Sequence, residues 1–144
     1  MRTAAAALAS RLTPWAPAVL WAAAIFFFSG QSHPPQPPGA GEIPFIDKLE
    51  HLAAYGVLGA LVFLALRRAA PEARAKPRER DAALAVVIAA VYGVSDEVHQ
   101  AFVPFRQADA ADLAVDALGA LLVVAAVLVW SKRRVPRDES RGKG

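Results

Sequence analysis

Four apolar runs, each about 20 residues long, leave this chain few ways to fold. They cover residues 12–30, 46–66, 82–102 and 110–130. At 1.5 Å of rise per residue, ~20 helical residues cross the ~30 Å hydrocarbon core of a bilayer. A soluble bundle of this size would show a polar stripe along each helix. LGALVFLAL in the second run and LGALLVVAAVLVW in the fourth show none. The expected fold is therefore all-α, a bundle of four transmembrane helices, since a spanning helix satisfies its backbone internally. Arg2 and Arg11 precede the first run as in a secretory signal, but no Ala-x-Ala cleavage signature follows FFFSG, so a retained first span is expected.

The connections set the orientation. Residues 1–11 read as a cytoplasmic N-terminus, 12–130 as one membrane domain and 131–144 as a basic, disordered cytoplasmic tail. Residues 31–45 carry Pro34, Pro35, Pro37, Pro38 and Pro44, which predicts an extended, polyproline-like loop. His33 in that loop is given no role. Residues 67–81 form a basic loop. Of the 16 Lys and Arg, all but Lys48 and Arg106 fall on one side of such a bundle. The positive-inside rule puts that side, with both termini, in the cytoplasm of a bacterial inner membrane. Trp15 and Trp130 then mark the cytoplasmic interface. The pI of about 9.7 thus reflects topology, and nucleic acid is excluded as a partner in favour of the bilayer. With no cysteine, disulfides and thiolate metal sites are excluded too.

Polar residues in the spans are confined to their outer ends. Asp47, Lys48, Glu50 and His51 open the second span. Asp96, Glu97, His99 and Gln100 close the third, Arg106 sits in the turn, and Asp109, Asp112 and Asp116 open the fourth. Charge in a membrane is costly and usually faces the bundle interior. Helical spacing agrees. Asp47, His51, Ala54, Tyr55 and Leu58 share one face, as do Ala85, Ala89, Gly93, Asp96 and Gln100, with Tyr92 and His99 at its border. Asp109, Asp112, Asp116, Gly119 and Ala120 make a third face. Three polar-tipped faces are expected to meet below the outer surface, with Asp116 roughly 10 Å down. Asp47, Glu97 and Asp109 read instead as solvated helix ends. Asp96, Asp112, Asp116 and His51 resist that explanation and form either a site or a helix-locking network.

Arg106, behind Pro104, is the expected counter-charge, folding back onto Asp96, Asp112 and Asp116. Acids still exceed cations here. Either one carboxyl stays protonated or a cation completes the site. The spacing matches no metal motif, so no metal ligand and no cofactor is assigned.

These residues carry a resemblance. D-K-x-x-H-x-x-x-Y (Asp47, Lys48, His51, Tyr55) with Leu58 and Gly59, S-D-E-x-H-Q-x-F-V-P-x-R (Ser95 to Arg106) and D-x-x-x-D-x-x-G (Asp112, Asp116, Gly119) resemble the VanZ-like family of bacterial membrane proteins, over about residues 46–122. The chain departs from it at Phe105, where the family usually has glycine, and at Asp116, often asparagine there. The resemblance implies a four-helix inner-membrane protein with an outward polar site. It implies no reaction, and the teicoplanin resistance of the family's namesake is not implied for every member.

The first function expected is an enzyme or binder acting on a lipid or lipid-linked envelope component. Arg106 and Lys48 would hold a phosphate, and His51 or His99 would act as acid or base with Asp96 or Asp112 orienting it. Asp47, Tyr55, Glu97, Gln100 and Asp116 would complete the binding set. Ser95 lies on another helix face and is no nucleophile. The second function is a structural or accessory protein whose cluster only locks the bundle. The third is a small transporter, which the lack of polar residues in the inner halves disfavours.

Overall fold

The computed structural model of the chain describes residues 9–10, 12–33, 38–39, 43–69, 79–106 and 108–134. Among these all regular structure is helical. A 3-10 turn, Thr13–Trp15, leads into α1, Ala16–Ser29. Then come α2, Ile46–Ala69, α3, Glu79–Gln100, and α4, Ala110–Arg133. The polyproline-like conformation expected at 34–37, the middle of the basic loop at 70–78 and the disordered tail at 135–144 lie outside the described residues. So do Arg2, Arg11, Arg74, Lys76, Arg78, Arg137, Arg141 and Lys143.

Local chemistry explains the helix ends. Pro14 and Pro17 each fall in a first turn, where a missing N–H leaves no bond unmade. Asp109 caps α4 from an extended conformation and accepts from the Ala111 N–H at 2.8 Å. Acidic Glu79 and Asp81 open α3, while Arg67 and Arg68 close α2 and Lys132 and Arg133 close α4. Each charge complements its helix dipole. These polar turns carry the helices past the apolar runs: α3 begins at Glu79, not Ala82, and α4 ends at Arg133, not Trp130.

Helices α2, α3 and α4 are long and apolar enough to cross a membrane, whereas the apolar helix over Thr13–Ser29 is shorter. Chain direction alternates. α1 and α3 run toward one end and α2 and α4 run away from it, so α2 and α4 are parallel. α2 touches every other helix. The packing is inside-out relative to a soluble domain. Interior positions of α4 are Asp112, Asp116, Gly119, Ala120 and Val124, while Leu118, Leu121, Leu122 and Val129 are exposed. On α3 the valines at 87, 91, 94 and 98 form an exposed stripe opposite buried Ala85, Ala89 and Gly93. Small residues inside and large apolar ones outside is how membrane helices pack, with lipid as the outer partner.

The tightest approach is between α2 and α4. A Cβ added to Gly119 would collide with the Leu52 carbonyl oxygen, and one on Gly56 would stand 2.7 Å from a Val123 methyl. Leu52 directly follows His51, and Gly119 lies about one turn below Asp116. The seam therefore sets how closely the charged ends of the two helices meet.

Candidate functional site

At the shared end of the bundle, two sets of side-chain contacts join α2 to α4. Lys48 Nζ lies 2.5 Å from Asp112 Oδ1, 2.7 Å from Asp109 Oδ2 and 3.5 Å from Asp47 Oδ2. One turn deeper, His51 Nδ1 lies 2.9 Å from Asp116 Oδ1. Asp116 is fully buried. Gly93 of α3 makes room for it, since a Cβ there would be 2.8 Å from Asp116 Oδ2. Across the bundle, Asp96 accepts from Ser29 Oγ at 2.5 Å and from Gln100 Nε2 at 3.1 Å. Glu97 Oε2 accepts from the Asp109 backbone N–H at 2.8 Å, tying α3 to the start of α4. Outside the helices, the Lys48 ammonium and then the Ala111 N–H hold the Asp109 carboxyl below the usual carboxylate range.

Several expectations need correcting. Arg106 does not fold onto Asp96, Asp112 and Asp116: among the described residues those carboxylates are served by Ser29 and Gln100, by Lys48 and by His51. Lys48 sits directly across the parallel α2–α4 seam, whereas Arg106 hangs in a turn that leaves the helix axis. Glu97 is no solvated end either, being 8% exposed. Asp47 and Asp109 are exposed, as expected. The site also draws on a fourth helix. Ser29, the last residue of α1, is buried and is not among the residues that the sequence pattern singles out. A signal for it exists all the same: it is the one hydroxyl at the C-terminal end of the first apolar run.

The remaining candidates divide. Tyr55 is buried below His51, with their rings stacked at 6.1 Å. His99 turns away from the carboxylates and stacks on Phe26 of α1 at 4.2 Å. Ser95 donates to the Tyr92 carbonyl and is exposed. Trp21 Nε1 donates to the Ala54 carbonyl at 2.9 Å and Tyr92 OH to the Ala22 carbonyl at 2.7 Å, fastening α1 to α2 and α3.

Between α1, α2 and α3 lies a cavity of about 240 Å³. Trp21, Ile25 and Phe28 form an apolar wall, while Asp47, Glu50, His51, Asp96, Gln100 and Arg106 are polar. Five buried polar atoms have no partner among the described residues: Tyr55 OH, Glu97 Oε1, His99 Nδ1, Arg106 Nε and Asp116 Oδ2. Buried polar groups are nearly always satisfied, so these five atoms make this end of the bundle the candidate site. All five belong to the residues singled out from sequence.

Three membrane-length helices, an apolar exterior and carboxylates buried at one end define a small integral membrane protein. More narrowly, the chain belongs to the VanZ/LLP1 family, whose model matches residues 15–131. No curated protein and no solved structure matches it.

Proposed function

We propose that this is a four-span protein of the bacterial cytoplasmic membrane that binds the phosphate-bearing headgroup of a lipid or lipid-linked envelope component at the outer leaflet. In this reading Thr13–Ser29 is the first span and both termini are cytoplasmic. Arg67, Arg68, Arg80, Lys132, Arg133 and Arg134 lie at the end opposite the carboxylates, which supports that orientation. The carrying observation is Arg106. Its guanidinium lines the cavity and has a buried, unpartnered Nε, and it makes no ion pair among the described residues. A planar fork of donors beside an apolar wall suits a phosphate with an acyl or prenyl chain.

Lys48 is already committed to Asp112 and Asp109, so Arg106 and Gln100 are the anion ligands in this reading. His51, oriented by Asp116, is the group able to move a proton there. Native mass spectrometry from mild detergent tests this. The parent should carry a phosphate-containing lipid and Arg106→Gln should lose most of it with an unchanged melting temperature. Equal retention in both overturns the reading. Teicoplanin-type glycopeptide susceptibility of cells carrying either form is the matching cellular readout.

A second reading, a purely helix-locking cluster, draws on the fact that Ser29–Asp96, Lys48–Asp112 and His51–Asp116 each join two helices. Arg106→Gln separates the two, because Arg106 takes part in none of these ties.

A further inference from the structure

His51, Glu97 and Asp112 come from three different helices, yet each offers a ligand atom within 4.8 Å of the others. An ion centred among three atoms no farther apart than this stands at most about 2.8 Å from each, so inward shifts of ~0.7 Å reach metal–ligand distances near 2.1 Å. Proximity of acids alone would carry little. Glu97 adds an independent sign: the residue is more than nine-tenths buried and its Oε1 has no partner among the described residues, although Oε2 is used by the Asp109 N–H. An unpaired carboxylate oxygen at this burial is costly unless a cation or donor meets it.

The surroundings fit the same chemistry. Asp116 engages His51 Nδ1, and with the proton held on Nδ1 the Nε2 lone pair is available to a metal. A carboxylate holding the far nitrogen of a histidine is the usual support behind a metal-bound imidazole. Asp112 gives Oδ1 to Lys48 and keeps Oδ2. Lys48 and a protonated His51 would not neutralise Asp96, Glu97, Asp109, Asp112 and Asp116 together. A divalent ion would reduce the excess.

We propose that His51, Glu97 and Asp112 bind one divalent transition-metal ion, with Mn2+ and Zn2+ the ions that suit one imidazole and two carboxylates. His51 also lines the cavity beside Arg106, so a bound ion would face the same space as a headgroup phosphate. The metal site does not depend on the headgroup reading, and its test contains no added lipid.

The full-length protein in mild detergent is stripped with EDTA, desalted, and titrated with Mn2+ and separately with Zn2+. One equivalent should be retained through a second desalting, and the melting temperature should rise on binding. Glu97→Gln should weaken binding by about tenfold or more, while Glu79→Gln, an acid at the opposite end, should not. Because Glu97→Gln could disturb the fold, the parent gives a second measurement: electron spin echo of the Mn2+ form should show coupling to a histidine nitrogen. Retention below about a tenth of an equivalent, no nitrogen coupling, or undiminished binding in a folded Glu97→Gln overturns the proposal. Absence of metal binding would leave the lipid-retention comparison of the parent with Arg106→Gln unaffected, so the two readings fail separately.

Discussion

The two ends of the bundle both carry acids and bases, and they treat them differently. At the basic end Glu79 meets Lys132 and Asp81 meets Arg67 at 3.4 Å, each acid with its own cation. The first pair is largely in water, with Lys132 and Glu79 46% and 75% exposed, while Arg67 and Asp81 are more covered at 13% and 20%. At the acid end the side chains of Asp112 and Asp116 are 10% and 0% exposed, and Asp96 and Glu97 are buried with no cation in contact among the described residues. At one end each acid meets its own cation. The other accepts desolvated charge, and desolvated charge persists only where geometry or a ligand compensates it.

The comparison can be broken most severely at the seam that holds the acid end together. Gly119→Ala would drive a methyl into the Leu52 carbonyl and force α2 and α4 apart. We expect a loss of about 3 kcal/mol, at the upper end of overpacking costs, read as a lower melting temperature in detergent. If the variant melts like the parent, the seam is looser than described and the ties across it are not fixed by backbone approach.

Next comes the shared cation. Lys48→Met leaves Asp112 buried without a partner. Because Lys48 is itself about a quarter exposed, the cost should fall below that of a fully buried pair, at about 2 kcal/mol. Parent-like melting at neutral pH would mean the acid end is as solvated as the basic end.

The turn beside the site gives a smaller effect of opposite sign. Phe105 has φ of 65°, in the left-handed region where a side chain is strained, and its ring is 85% exposed. Phe105→Gly should stabilise by up to about 1 kcal/mol in thermal melts. Destabilisation instead would show that the stacking of Phe105 on His33, at 5.7 Å, outweighs the backbone strain. Smallest of all, Lys132→Met at the basic end should leave the melting curve unchanged, as exposed pairs usually contribute little. A large shift there would erase the contrast between the ends.

Much of the site is legible in the sequence. The period of 3.6 places Asp96 and Gln100 on the buried face with Ala85, Ala89 and Gly93, and Asp112 and Asp116 with Gly119 and Ala120. All of these are buried as the pattern requires. Spacing misassigns the partners. Closeness along the chain points Arg106 at the acids, and a position near a helix end points Glu97 at solvent, yet neither outcome holds in the packed bundle. Ser29 escapes the pattern because a single hydroxyl at the edge of an apolar run gives no periodic signal.

By itself the sequence determined the helical class, the apolar lengths, the family and the one-sided placement of charge. These depend on local composition and helical period, which a linear chain displays directly. Tertiary structure alone decided that α2 and α4 pack in parallel, so that Lys48 rather than Arg106 meets Asp112 and His51 meets Asp116. It also decided that Glu97 is buried beside them, and that Arg106 is left facing the cavity. Those outcomes hang on ångström-scale approach between helices at Gly119 and Gly93. Distance between residues far apart in the chain is fixed by packing, and no spacing along the sequence encodes it.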